Sequence, residues 1–86
     1  ITAGKLYSGT FPVLPSKGYL TKGDKGTQVK NLQKFLNWCL GTKLEVDGIL
    51  GDLTYSAILT FQDKNDLVVD GMFGKKSLAK AKTVKK

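Results

Sequence analysis

The sequence contains no histidine and no arginine, and its single cysteine is Cys39. One cysteine cannot form a disulfide within the chain, and without histidine it lacks the partner of a Cys–His catalytic pair. The usual zinc sites also need several cysteine or histidine ligands. We therefore expect no metal and no cofactor, and we interpret Cys39 as a small apolar helix residue.

Acidic residues are scarce as well, with one glutamate, Glu45, and six aspartates among 86 residues. A glycosidase needs two carboxylates across a cleft that grips several sugars, and a domain this small seldom provides one. The segment DKNDLVVDG (63–71) comes nearest to a calcium loop, but Leu67 and Val68 stand where an acidic ligand and a glycine are required. The sequence thus predicts no catalytic residue and a chain that is not an enzyme on its own.

Positive charge is plentiful, because fourteen lysines against seven acidic residues give a net charge of +7. This balance favours an anionic partner, such as nucleic acid, a membrane surface or an anionic wall polymer. No apolar run approaches the roughly 20 residues that cross a bilayer, so we expect no membrane insertion. The lack of arginine weakens the case for sequence-specific DNA recognition, since bidentate contacts to guanine are mostly made by arginine. A basic nucleic-acid-binding module that acts through lysine charge stays open as an alternative.

Hydrophobic periodicity indicates three helices. From Thr27 onward, apolar residues recur at spacings of three and four, which is typical of one helix face, and Gly41 can end that helix. Similar patterns follow over 52–64 and from Lys75. The intervening segments are too short, and β-branched alternation too sparse, for a sheet of any size. We therefore predict an all-α fold, a compact three-helix bundle.

The segments around the helices differ in composition. Residues 1–19 hold both prolines and lack a helical period, which predicts an extended N-terminal arm. Residues 20–82 form the helical domain, and 83–86 are a basic tail. The chain begins with Ile1 and its only methionine is Met72, so we expect a segment of a longer polypeptide or a processed product. The N-terminal residues expected to lie on the core are Phe11, Val13, Leu14 and Leu20.

A six-residue motif occurs twice, as VDGILG at 46–51 and as VDGMFG at 69–74. In each copy the aspartate can bond its own local backbone N–H groups, and the glycine after it can take a left-handed conformation. We expect the valine and the two apolar residues after that glycine to pack inward. The last glycine opens a helix, and a hydroxyl three residues later can reach the loop. Each copy is thus a D-G-x-x-G loop-to-helix connector, whose structural residues are Asp47, Gly48, Gly51 and Thr54, and then Asp70, Gly71, Gly74 and Ser77.

A glutamine precedes each connector, Gln33 by fourteen residues and Gln62 by eight. We interpret both as semi-buried amides that bond loop carbonyls. The six-residue difference predicts a longer first helix or first loop within a duplicated helix–loop unit.

Three segments together resemble a known family: KGDKGTQVKNLQKFL, VDGILGDLTYSAILTFQ and LVVDGMFGKKSLAKA. They are similar to the peptidoglycan-binding domain with the three-helix fold, in which D-G-x-x-G precedes a helix. The resemblance covers about residues 20–82 and implies a non-catalytic module that binds bacterial peptidoglycan. It further implies an attached wall hydrolase of the amidase, muramidase or peptidase type. Action is then expected at the cell wall, outside the cell or, for a phage-encoded protein, at lysis, and we expect a monomer.

Aromatic and basic residues outside the connectors are the candidates for wall contacts. Phe35 and Trp38 lie one turn apart on the first helix, and Tyr55 lies on the second; aromatic faces suit sugar rings and peptide stems. An alternative is that Trp38 and Phe35 clamp the arm around Phe11 and Leu14. The candidate lysines, which suit carboxylates or phosphates but are also explained as solvated surface charges, are Lys34, Lys43 and Lys64.

Overall fold

The computed structural model describes residues 4–85, which form three helices and one two-stranded antiparallel ladder. In chain order the elements are β1 (Tyr19–Leu20), α1 (Thr27–Leu40), α2 (Asp52–Lys64), β2 (Phe73–Gly74) and α3 (Lys75–Ala81). Tyr19 lies opposite Gly74, and Leu20 lies opposite Phe73. The predicted all-α three-helix bundle is confirmed, and the short ladder ties the segment before α1 to the start of α3.

Glycines set the ends of the helices. Gly41 follows α1 in the left-handed conformation, with a φ of 71°, and its N–H donates to the Asn37 carbonyl at 3.0 Å. A side chain with a Cβ is strained in this conformation, so α1 stops there. Gly51 and Gly74 directly precede α2 and α3 in extended conformations, as predicted for helix-opening residues. Within residues 4–85, no helix has the length and apolar character that crossing a bilayer requires.

The core lies between the helices and is closed by one side chain from each connector. Leu50 and Phe73 are 1 % and 0 % exposed, whereas Ile49 and Met72 are 49 % and 40 % exposed. The prediction that both apolar residues after the glycine pack inward is therefore wrong for Ile49 and Met72. Successive side chains of an extended segment point to opposite sides, so only the second of each pair reaches the core. The other buried apolar residues are Leu20, Val29, Leu32, Phe35, Leu36, Ala57, Ile58, Phe61 and Ala81.

The N-terminal arm packs on α1 through aromatic rings. The Tyr7 ring centroid lies 5.4 Å from those of Phe11 and Phe35 and 5.2 Å from that of Trp38. Phe11 also lies 5.6 Å from Phe35, and Leu14 packs against the core. The arm therefore adds a layer of aromatic side chains to the outer face of the bundle.

Val13 does not follow the prediction that it lies on the core, because its side chain is 65 % exposed. Its backbone N–H donates to Gln28 Oε1 on α1 at 2.6 Å, and the neighbouring Pro12 is buried. Side chains alternate along an extended segment, so the burial of Pro12 turns Val13 toward solvent.

Candidate functional site

Gln33 on α1 holds the first connector with both ends of its amide, and its side chain is 1 % exposed. Its Nε2 lies 3.0 Å from Asp47 Oδ1 and from the Ile49 carbonyl, and 3.1 Å from Thr54 Oγ1. Its Oε1 accepts the Gly48 N–H at 3.0 Å, and Asp47 Oδ1 also accepts the Ile49 N–H at 2.9 Å. An amide carries a donor and an acceptor at one end of a side chain, so a single glutamine satisfies both kinds of backbone group in the turn.

Gln62 on α2 repeats this network around the second connector. Its Nε2 lies 2.9 Å from Asp70 Oδ1 and from the Met72 carbonyl, and 3.3 Å from Ser77 Oγ. Its Oε1 accepts the Gly71 N–H at 3.0 Å, and Asp70 Oδ1 accepts the Met72 N–H at 2.9 Å. Each bond has a counterpart in the first network, so the repeated sequence builds the same turn twice.

The predicted roles of glycine and aspartate in the turns are confirmed. Gly48 and Gly71 take left-handed conformations with φ of 77° and 74°. The prediction for the valine is wrong in both copies, since Val69 is 49 % exposed and Val46 is only half-buried and lies outside the core cluster. Asp70 directs its side chain toward the buried glutamine amide, and the adjacent Val69 consequently faces the other way.

The first glutamine lies farther from its turn because α1 continues past it. Helix α1 runs seven residues beyond Gln33, whereas α2 runs two residues beyond Gln62. The added turns carry Asn37, whose Nδ2 donates to the Leu44 carbonyl at 3.0 Å and whose Oδ1 accepts the Leu44 N–H at 2.8 Å. The added length of α1 therefore supplies a side chain that fixes the loop after this helix.

Asp47 makes the stability of the fold depend on pH. The Ile49 N–H and then the Gln33 amide hold the pKa of Asp47 below its ordinary value. Such a carboxyl stabilises the fold above its unfolded pKa of about 3.9, and the contribution is lost as the pH falls through the lower folded pKa. We expect the melting temperature to fall between about pH 5 and pH 2, and to fall less in Asp47→Asn, which keeps an acceptor oxygen.

Circular dichroism melts at stepped pH measure this effect, with Asp63→Asn on the exposed surface of α2 as the control. The Lys22 side chain also lowers the pKa of Asp52, so the flattening in Asp47→Asn is partial. The control should keep the acid slope of the parent domain. An unchanged slope in Asp47→Asn, or the same flattening in both variants, would contradict the role of Asp47.

A groove opens beside each connector. Groove 1, of about 390 Å³, is lined by the first connector, the loop before it and the start of α2, including Lys43, Glu45, Asp47, Ile49, Asp52 and Leu53. Groove 2, of about 360 Å³, is lined by the second connector, the loop before it, the start of α3 and β1, including Tyr19, Val68, Asp70, Met72, Lys75 and Lys76. Because the motif is repeated, the two grooves lie at equivalent positions in its two copies. The backbone of the turn is the same in both, but the side chains that line the grooves differ.

Phe35 is not available for wall contact, because it is 0 % exposed. The rings of Tyr7, Phe11 and Phe61 pack around it with centroids 5.4 to 5.6 Å away. Trp38 is half-buried, with its ring 5.2 Å from Tyr7 and 5.9 Å from Phe35. The arm thus covers Phe35 completely, as in the clamp alternative, and leaves part of the Trp38 ring exposed.

The other candidate contacts do not form one surface. Tyr55 is half-buried, and its ring lies against Gly71. Lys43 lines groove 1, while the exposed Lys34 on α1 and Lys64 on α2 line neither groove. Their contact with a ligand stays a prediction.

The ligand contacts predicted from the sequence include none of the side chains that line groove 2. A signal for two of them exists in the repeat, since Lys75 and Lys76 stand where the first copy has Asp52 and Leu53. Tyr19 has no such signal, because it reaches the groove only through the pairing of β1 with β2.

The doubled connector lies within a match to a known protein family. The family model of the peptidoglycan binding domain matches residues 25–80, a span that includes both glutamine networks and both grooves apart from Tyr19 and Gly18. The chain belongs to the peptidoglycan-binding domain family. It is therefore a non-catalytic module that binds the cell wall, as the resemblance predicts, and no comparison favours the nucleic-acid alternative.

Solved structures share the fold of this peptidoglycan-binding domain. The Burkholderia AP3 phage endolysin matches with a TM-score of 0.69 at 36 % identity, over 74 % of this chain and 24 % of that one. A peptidoglycan-binding protein from Clostridioides difficile, solved in complex with glutamine hydroxamate, matches with a TM-score of 0.70 at 34 % identity, over 74 % and 40 %. The SleB N-terminal domain matches with a TM-score of 0.69 at 37 % identity, over 78 % and 96 %. The chain thus spans less than half of the first two proteins and nearly all of the third.

Proposed function

We propose that this peptidoglycan-binding domain holds an attached wall hydrolase, of the amidase, muramidase or peptidase type, on the bacterial cell wall. The match to 24 % of an endolysin supports the proposal, because most of that protein lies outside the shared domain. The domain acts as a monomer, at the wall or outside the cell, and a phage-encoded protein would reach the wall at lysis.

The doubled connector is the observation that carries this proposal, because its polar side chains maintain the shape of the two turns and are not arranged for catalysis. Asp47 and Asp70 each use Oδ1 to accept bonds from the turn and from the glutamine amide. For Asp47 these bonds hold the pKa below its ordinary value, so this carboxylate is poorly suited to deliver a proton. Bond cleavage is accordingly assigned to the attached hydrolase, and binding to the surface of this domain.

Co-sedimentation with purified sacculi tests the proposal. Teichoic acids are removed from the sacculi, and the salt is raised to about 0.5 M, where the Debye length is well below the roughly 8 Å of physiological salt. We expect the isolated domain to pellet under these conditions and to release no soluble sugar or peptide fragments. Trp38→Ala and Tyr55→Ala, checked for folding by circular dichroism, then test the two half-buried aromatic candidates.

Duplex DNA serves as the competitor in the same assay. If pelleting disappears at raised salt and DNA competes as well as sacculi do, lysine charge alone explains the binding and the nucleic-acid alternative replaces the proposal. Release of soluble fragments would instead place catalysis within this chain.

A further inference from the structure

The two grooves have the same backbone conformation in the turn but differ in the charge of the side chains that line them. Groove 1 has Asp52 and Leu53 at the start of α2, where groove 2 has Lys75 and Lys76 at the start of α3. Because the glutamine network around each turn is the same, a difference in ligand preference must come from the lining side chains.

Groove 1 presents mostly negative charge. Three acids, Glu45, Asp47 and Asp52, line it together with one lysine, Lys43. Asp52 pairs with Lys22 at 2.5 Å, but both side chains are more than half exposed, so this pair is screened by solvent. An anionic ligand is repelled by the remaining carboxylates.

Groove 2 presents positive charge. Lys75 and Lys76 are exposed, and within residues 4–85 neither has an ion-pair partner. The one acid that lines this groove, Asp70, already accepts bonds from Gln62 Nε2 and the Met72 N–H through its Oδ1. Both ammonium groups are therefore open to a ligand carboxylate, which would form charge-assisted hydrogen bonds with them.

An apolar wall accompanies these lysines. Val68 is 72 % exposed and Met72 is 40 % exposed, and the half-buried Leu67 lies beside them in the lining. Tyr19 adds an aromatic surface, with Lys17 Nζ 5.0 Å from its ring centroid. Exposed apolar side chains gathered in a groove favour a ligand that covers them with methyl or methylene groups.

We propose that groove 2 binds the carboxylate-bearing stem peptide of peptidoglycan and that groove 1 does not. This assignment rests on the proposed wall-binding function and names the part of the polymer that is bound. A stem peptide combines alanine methyl groups with free carboxylates, which match the aliphatic wall and the two lysines of groove 2. The glycan strand offers hydroxyl and N-acetyl groups, and its lactyl carboxylates are capped where stem peptides are attached, while a polyphosphate needs a track of cations with no aliphatic wall.

The test uses the free tetrapeptide L-Ala–γ-D-Glu–L-Lys–D-Ala as the probe, titrated into the isotopically labelled domain and followed by NMR. Amide resonances of groove 2 should shift, and those of groove 1 should not. Lys75→Gln with Lys76→Gln should raise the Kd of the peptide about tenfold, because two contacts at a partly exposed site are lost.

The matched control is Lys80→Gln with Lys82→Gln, which removes the same charge from exposed positions at the end of α3. Its Kd should stay within about twofold of the parent, since these lysines lie outside the groove and act only through screened charge. Equal weakening in both double variants would overturn the proposal, as would shifts in groove 1 or in neither groove at millimolar peptide. All four lysines are exposed, and melts by circular dichroism verify that each variant is folded.

Co-sedimentation separates failure of this assignment from failure of wall binding. Soluble N-acetylglucosamine oligomers, which carry no stem peptide and no carboxylate, should compete poorly for the parent domain, and the Lys75→Gln with Lys76→Gln variant should pellet less with sacculi than the control does. If that variant pellets as well as the control, or if these oligomers compete fully, groove 2 is wrongly assigned and wall binding stands. If the parent domain does not pellet at all, the proposed function itself fails.

Discussion

Replacing Gln33 by methionine is expected to lower the free energy of unfolding by about 3 kcal/mol, since methionine keeps the length of the side chain and removes its hydrogen bonds. The substitution leaves the buried Gly48 N–H without its acceptor and Thr54 Oγ1, in a side chain 4 % exposed, without its donor. A buried polar group left unpaired costs roughly 1–3 kcal/mol. The whole domain, at 86 residues, is expected to have only about 4–13 kcal/mol of stability.

Urea unfolding followed by Trp38 fluorescence measures this loss, and Gln28→Met is the matched control. Gln28 Oε1 accepts the Val13 N–H at 2.6 Å in an exposed position, where water can replace it, so we expect a loss below about 1 kcal/mol. Gln62→Met should resemble Gln33→Met, because its network is the same. Equal losses for Gln28→Met and Gln33→Met would show that the buried amide does not hold the connector.

The helices and turns could be predicted from the sequence because their signals are local. The left-handed glycines and the bonds from each aspartate to the N–H two residues on depend only on neighbouring residues. The bonds from the glutamine amides to the loop carbonyls could also be predicted, since the same amide precedes two copies of the same turn, although both side chains are fully buried and not semi-buried as expected. Because the motif occurs twice, the role of each residue can be compared between the two copies, which a single motif does not allow.

Burial in the connectors and the arm could not be predicted, because it depends on how a short extended segment is turned. Ile49 and Leu50 are equally suited to a core by composition, yet only Leu50 is buried. Phe35 is a plausible contact residue on a helix edge until Tyr7 and Phe11 cover it from a distant part of the chain. The burial of these side chains depends on long-range packing, which hydrophobic periodicity within one helix does not report.

The residues of the candidate site likewise divide into those that the sequence could indicate and those that it could not. The aromatic and lysine candidates chosen one residue at a time are scattered, and only Lys43 among them lines a groove. Lys75 and Lys76 become informative when the second connector is compared with the first, because Asp52 and Leu53 occupy the same positions there. A difference between copies that share one backbone indicates the function of each groove better than residue type alone.

Gly71→Ala is expected to destabilise the domain by about 2–3 kcal/mol, from backbone strain and from overlap with a ring. Gly71 has a φ of 74°, and a Cβ built on it would lie 2.6 Å from Cζ of Tyr55. Tyr55 is half-buried against the second turn, so its ring must move and give up packing to admit the methyl group.

Two comparisons separate these contributions in thermal or urea unfolding. Gly41→Ala introduces strain alone, because Gly41 has a φ of 71° and no atom within 4 Å of an added Cβ, and we expect it to cost about 1 kcal/mol. In a Tyr55→Ala background, Gly71→Ala should likewise cost only about 1 kcal/mol, so the double-mutant cycle should give a coupling of roughly 1–2 kcal/mol. A coupling near zero would mean that the ring turns aside without loss. Backbone strain alone would then account for the glycine in the second connector, as it does at the end of α1.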